Sequence, residues 1–284
     1  MHLTFSAKSQ AFPSRIVCLS DESSELLYLL GEQDRIAGVS GFSRRPPEVK
    51  GKPRVSTFRD ANFEAIEKLD PDLIITYSDV QADITKEAIR RGLPVLNFNQ
   101  RCVSEIFEFI ELIARVVNQQ ERGRKLIAAY QSELEKIARA AAGFRWRPRL
   151  FFEEWNEPLI SGIEWVEELV ELAGGEPIFP EFRKARKAKD RIVQSEDVIQ
   201  RNPDVILASW CGMKVDTNAI CSRPGWDAIA AVRNGHVYEI PSSHILQPGP
   251  ASLTDGIREL HRILGVVTLD ASRHGNQGST LPGR

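Results

Sequence analysis

The sequence predicts an α/β protein built as two small open lobes, each around a central, mostly parallel sheet, joined by a long backbone helix. Three observations predict it. Glu64 to Tyr77 reads EAIEKLDPDLIITY and Glu196 to Ser209 reads EDVIQRNPDVILAS, so one unit occurs twice. In each half, apolar β-rich runs alternate with amphipathic stretches, the alternation that yields parallel sheets covered by helices. Between the halves, residues 119–142 are rich in strong helix formers. At 1.5 Å per residue that stretch would span roughly 35 Å. A unit used only twice does not stack into a solenoid. Two similar lobes facing one another would instead leave a cleft, a common place for a ligand.

The elements follow in order. Residues 1–14 form an extension, 15–117 the first lobe, 118–143 the linking helix, 144–268 the second lobe and 269–284 a disordered tail. In the first lobe Arg15-Ile-Val-Cys-Leu is a strand. It leads into a helix from Ser23 to Gly31, with a serine start and a glycine stop. In the second, Arg149-Leu-Phe-Phe is the matching strand, and Glu164 to Gly174 the matching helix. After each Glu…Pro-Asp unit comes a further helix and strand. These are Asp83–Arg91 then Pro94–Phe98, and Trp226–Val232 then His236–Ile240, with Gly92 and Gly235 at the expected left-handed C-caps. Extra residues in the second lobe fall within 213–224. Ser104–Val117 carries apolar residues at helical spacing. With no Gly/Ser/Pro-rich tract in the linker, small flexing is expected rather than a wide swing.

Composition narrows the function. At 284 residues, 42% hydrophobic and 27% charged, the chain is globular. A net charge of −2 supplies no bulk attraction to nucleic acid or anionic membrane. The basic run 183–191 contains Asp190, lacks interleaved aromatics and reads as a solvated face. No apolar stretch reaches the ~18 residues of a membrane span. The first residues lack the apolar core and small-residue cleavage site of a secretory signal, so no export address is read there. Cys18, Cys102, Cys211 and Cys221 show no metal spacing. Cys18 reads as a small buried hydrophobe, and Cys211 with Cys221 leaves a disulfide open.

No GxSxG, Walker loop, GxGxxG or HExxH occurs. The five histidines are scattered, with none paired at i+3 or i+4. Glu153 and Glu154 invite an acid/base reading, but neighbours on a strand point to opposite faces. Neither an enzyme nor a metal site made of protein ligands is expected. What remains is aromatic: Phe42, Phe58 and Tyr77 fall at or just after strand ends in the first lobe, and Trp155 and Trp210 in the second. Their alternative reading is core packing. Ligands of open α/β sheets gather beyond the carboxyl ends of the strands, and stiff rings suit a flat macrocycle. His244 and Gln247 lie in a loop after the last strand, where an imidazole over the cleft could coordinate a metal inside a ligand. Glu64 and Glu196 sit in the first turns of matched helices, where the dipole favours a carboxylate by ~0.3–1 kcal/mol. One such carboxylate per lobe could also meet a two-fold partner bearing arginines.

These segments resemble the substrate-binding proteins of ABC importers for cobalamin and iron chelates. Gly38-Val-Ser-Gly-Phe-Ser-Arg-Arg-Pro-Pro-Glu is similar to the family's GVSxYSDYPP loop, with Phe42 at a ligand-facing tyrosine position. Val55-Ser-Thr-Phe is similar to a VSTW segment, placing Phe58 at a cleft tryptophan position. Asn62-Phe-Glu-Ala-Ile with Pro71-Asp-Leu matches NLExI…KPDL, and Tyr77 falls at a further cleft aromatic. The resemblance covers about residues 15–266. It implies the class III binding-protein fold, a corrinoid or similar tetrapyrrole as cargo rather than cofactor, and no catalysis. It also implies a monomer that docks through Glu64 and Glu196 onto transmembrane-subunit arginines, and a periplasmic location. Against the family's pattern, no signal or lipid-anchored cysteine is expected from the first residues, loop 242–250 differs, and Asp190 stands where a cleft tryptophan is usual. Two alternatives stay open. One is an iron-siderophore or haem binder, which Arg44, Arg45 and Arg59 would suit. The other is a cytoplasmic tetrapyrrole-handling enzyme or metallochaperone on the same frame.

Overall fold

In a computed structural model of the chain, residues 12–276 are described, the last six by backbone alone. Residues 1–11 and 277–284, which include most of the expected extension and half of the expected tail, lie outside the described residues. Two compact units emerge. One runs to Gln100 and takes in Phe107–Ile127; the other takes Arg101–Ile106 and the chain from Ala128 on.

The first unit contains β1 (Ile16–Cys18), α1 (Asp21–Leu29), β2 (Ile36–Ser40), β3 (Arg54–Ser56), α2 (Phe63–Lys68), β4 (Leu73–Tyr77), α3 (Ala82–Arg90) and β5 (Val95–Phe98). Its sheet has the order β3-β2-β1-β4-β5, and every pairing is parallel. β1 lies at the centre, where the order of strand addition reverses, the switch point that open α/β sheets use for ligands. Ile16, Val17 and Cys18 are fully buried there, as continuous apolar runs in doubly covered sheets are. Burial pushes the Cys18 thiol up to about 12.

α4 (Val103–Val116) and α5 (Gln120–Ala141) follow. The sequence places a separate linker over 118–143. In the structure the boundary between units falls inside α5, after Ile127, and the first turn of α4 packs with the second unit.

The second unit contains β6 (Arg149–Asn156), β7 (Leu159–Ser161), α6 (Glu164–Leu172), β8 (Glu176–Pro177), α7 (Ser195–Arg201), β9 (Val205–Ala208), α8 (Thr217–Cys221), α9 (Ala230–Arg233), β10 (Val237–Glu239), α10 (Ser242–Ile245) and α11 (Ile257–Asn276). Its sheet runs β10-β9-β6-β7, with β8 also on β6. All its pairings are parallel except β6 with β7. Phe151, Trp226, Ile206 and Phe179 anchor one of its cores.

Several expectations are corrected. The first helix begins at Asp21, not Ser23, because Ser20 takes the extended N-cap conformation directly after the strand. Trp226–Val232 is not one helix. A 3₁₀ turn (Trp226–Ala228) is separated from α9 by Ile229 in extended conformation. The strand expected from His236 begins at Val237, and His236 is buried just before it. The extra residues in 213–224 fold into α8. The expected disordered tail is helical through Asn276. Gly92 (φ +71°) and Gly235 (φ +72°) do adopt the left-handed conformation.

Candidate functional site

The carboxyl ends of the strands carry most of the sequence-selected residues, and each unit presents its own set. In the first, Phe42 follows β2 and Phe58 follows β3, both half-buried. Tyr77 is different. It ends β4 at 6% exposure, and its hydroxyl donates to the Gln100 carbonyl at 3.2 Å. It supports the strand end from beneath rather than offering a free face. Arg44 and Arg59 are exposed beside Phe42 and Phe58, whereas Arg45 donates to Glu25 at 2.8 Å.

Sequence reasoning missed the acidic group at the switch point. Asp21, Glu22 and Glu25 open α1, among Ser20, Ser23, Ser24 and Ser43. Burial raises the Asp21 carboxyl to about 7 and the Glu22 carboxyl to about 8. Glu22 is 1% exposed and its Oε2 has no hydrogen-bond partner. The signal was present in Ser20-Asp-Glu-Ser-Ser-Glu directly after an apolar strand, where a charged run argues against burial and so went unread.

In the second unit, β6 continues to Asn156 because it folds back on β7, so Trp155 lies within the strand rather than after it. It is half-buried, and its indole donates to the Glu157 carbonyl at 2.9 Å. Trp210, just past β9, is 4% exposed and donates to Glu153 Oε1 at 3.1 Å. Glu153 and Glu154 do part to different partners. Glu153 meets Arg223. Glu154 meets Arg191, which is 1% exposed. The basic run 183–191 is therefore not uniformly solvated. Arg191 is buried, Arg183 pairs with Glu171, and Lys184 with Glu164.

The segment 242–250 is not a plain loop. His244 and half-buried Gln247 lie on and just after the short helix α10. A π-helical turn, Ser252–Gly256, packs against it, and a side chain at Gly256 would stand 2.5 Å from the His244 carbonyl oxygen. Cys211 is exposed and Cys221 half-buried, and the two are not joined in a disulfide.

One cluster of metal-ligating atoms occurs among the described residues. Cys102, Glu164 and Glu168 hold their donors within 4.8 Å. Lys184 already supplies a cation to Glu164, and the Val103 amide donates to Glu168 at 2.7 Å.

Glu64 and Glu196 occupy the second position of α2 and α7, and both are exposed. Their helices start by different devices. Asn62 accepts from the Ala65 amide at 3.0 Å, whereas Gln194 and Asp197 form a reciprocal capping box. Neither glutamate is needed as the cap, and among the described residues neither makes an ion pair.

No described helix is long and apolar enough to cross a membrane. Among curated proteins the chain is 26% identical to an uncharacterized ABC transporter substrate-binding lipoprotein, YvrC, of Bacillus subtilis, over 87% of this chain and 79% of that one. It is 28% identical to a vitamin B12-binding protein of Vibrio campbellii, over 84% and 85% of the two chains. Its fold matches the periplasmic vitamin B12-binding protein BtuF of Vibrio cholerae (TM-score 0.72, 24% identity, 90% of this chain and 98% of that one). It also matches the periplasmic haem-binding protein BhuT (TM-score 0.75, 21% identity, 89% and 98%). Residues 16–244 match the periplasmic binding protein family, and the chain belongs to it.

Proposed function

We propose that this protein captures cobalamin or a related corrinoid and hands it to the transmembrane subunits of an ABC importer, without catalysing a reaction. The observation that carries the reading is the vitamin B12-binding proteins of several Vibrio species, which align over more than four-fifths of both chains. Phe42, Phe58 and Trp155 supply half-exposed rings at strand ends, suited to the face of a macrocycle. Tyr77 and Trp210 are buried at strand ends. His244 and Gln247 supply polar contacts near the last strand of the second unit. Exposed Glu64 and Glu196 are the docking carboxylates, and handover places the protein outside the cytoplasmic membrane.

A second reading, haem or a ferric siderophore, is favoured by exposed Arg44 and Arg59, which suit anionic ligand groups. Calorimetric titration with cyanocobalamin, cobinamide, haem and a ferric siderophore separates the two. Saturable binding of the corrinoids is expected. Binding of haem or siderophore alone would replace the first reading by the second.

A further inference from the structure

We propose that Gln81 is a positioning residue that fixes the Phe58 ring for ligand contact by tying three strand ends together. The inference rests on the reading above only in taking Phe58 as a ligand-facing ring.

Gln81 ends the 3₁₀ turn Asp79–Gln81 and is fully buried. Its Oε1 accepts from the Tyr77 amide, at the end of β4, at 2.9 Å. Its Nε2 donates to the Leu19 carbonyl, just past β1, at 2.8 Å and to the Phe58 carbonyl, just past β3, at 3.3 Å. The orientation of the amide is forced. Turned over, it would set its oxygen against two carbonyls and its nitrogen against an N–H. One side chain therefore uses both donor hydrogens and its acceptor on backbone groups of three separate strands. Each of these bonds satisfies a backbone polar group at the end of the sheet, as buried polar groups require.

Two features show that this arrangement is built in. Ser78 is held at φ +60° and ψ 177°, a region strongly disfavoured for a residue with a side chain, and this turn brings Gln81 back over the strand ends. Ser78 is itself pinned by its amide to the Phe98 carbonyl and by its Oγ, which accepts from Val80 at 3.2 Å. Phe58, by contrast, follows a three-residue edge strand, and its turn is closed by Thr57 and Asp60. The Gln81 amide ties Phe58's backbone to the sheet centre, since the same Nε2 also donates to the Leu19 carbonyl past β1.

The test compares Gln81→Met, which keeps the volume and loses the amide, with Phe58→Ala and the double variant. Two readouts are used. Without ligand, amide exchange over residues 57–61 is expected to quicken about tenfold in Gln81→Met, the loss of one net hydrogen bond, while β1 stays protected. Unchanged exchange there overturns the proposal. With cyanocobalamin, Gln81→Met is expected to weaken binding about tenfold, and the double variant to bind no worse than Phe58→Ala. Retained affinity in Gln81→Met, or fully additive losses, overturns the proposal. A merely structural role would lower melting temperature without producing that non-additivity. If Gln81→Met does not fold, Gln81→Leu, which also removes the acceptor and both donors, is read by the same criteria. Failure of the wild type to bind any corrinoid would sink the corrinoid reading, while the exchange readout still decides the role of Gln81.

Discussion

Glu153, within β6, and Arg223 form a two-point ion pair, with Nη1 to Oε2 at 2.6 Å and Nη2 to Oε1 at 2.9 Å. Glu153 is fully buried. Its Oε1 also receives the Trp210 indole, and Arg223 lies over the Trp226 ring at 4.4 Å. Trp226 in turn donates to Ser195, the first residue of α7, at 2.7 Å. One buried carboxylate thus anchors the strand-end tryptophan and, through Arg223, the start of the helix that presents Glu196.

Removing the cation leaves that carboxylate buried and unpaired. Arg223→Met is expected to destabilise the protein by roughly 3–5 kcal/mol in urea unfolding, because uncompensated buried charge is costly. Arg223→Lys should recover little, since an ammonium offers a point charge in place of a planar two-point donor. Glu153→Ala should cost a similar amount and also free the Trp210 indole, visible as a red shift in tryptophan emission.

Stability should fall as pH rises through neutrality. Asp21, Glu22 and Glu167 are all raised by burial, to about 7, 8 and 8. In the unfolded chain such carboxyls titrate near ~4. Between ~4 and 8 the folded protein therefore holds more protons than the unfolded one, and stability declines with rising pH, levelling above about 8. This is the reverse of a paired carboxylate. Melting curves from pH 5 to 8.5 should show the decline. Glu22→Gln, which mimics the protonated form, should flatten it and raise the melting temperature at pH 8.5 by roughly 2–4 °C.

Gly256→Ala should be harmful out of proportion to one methyl group. The new Cβ would meet the His244 carbonyl oxygen at 2.5 Å and Ile245 Cδ1 at 3.0 Å. Backbone must move to admit it, at a cost of roughly 1–3 kcal/mol. Ligand affinity should drop with stability if His244 and Gln247 contact ligand; unchanged affinity in folded protein would remove α10 from the site.

Glu64→Ala combined with Glu196→Ala should leave ligand affinity intact and abolish transport in a reconstituted importer. The stability cost should stay small, within ~0.3–1 kcal/mol per site, because both side chains are exposed helix-start carboxylates and neither is the capping residue. Loss of affinity instead would place these groups in the binding machinery.

The sequence by itself determined the duplicated strand–helix plan, the parallel sheets, the left-handed glycines at 92 and 235, and the strand-end positions of Phe42 and Phe58. These follow from local periodicity and from turn chemistry, which act over a few residues. Only tertiary structure decided that Tyr77 and Trp210 are buried while Phe42, Phe58 and Trp155 are half-buried. Burial depends on distant segments, and the polar atoms of the buried rings find partners there, the Gln100 carbonyl for Tyr77 and Glu153 for Trp210. The same holds for Gln81, whose partners lie 4, 62 and 23 residues away. It holds too for the acids at the start of α1, whose raised proton affinity comes from enclosure that no spacing rule records.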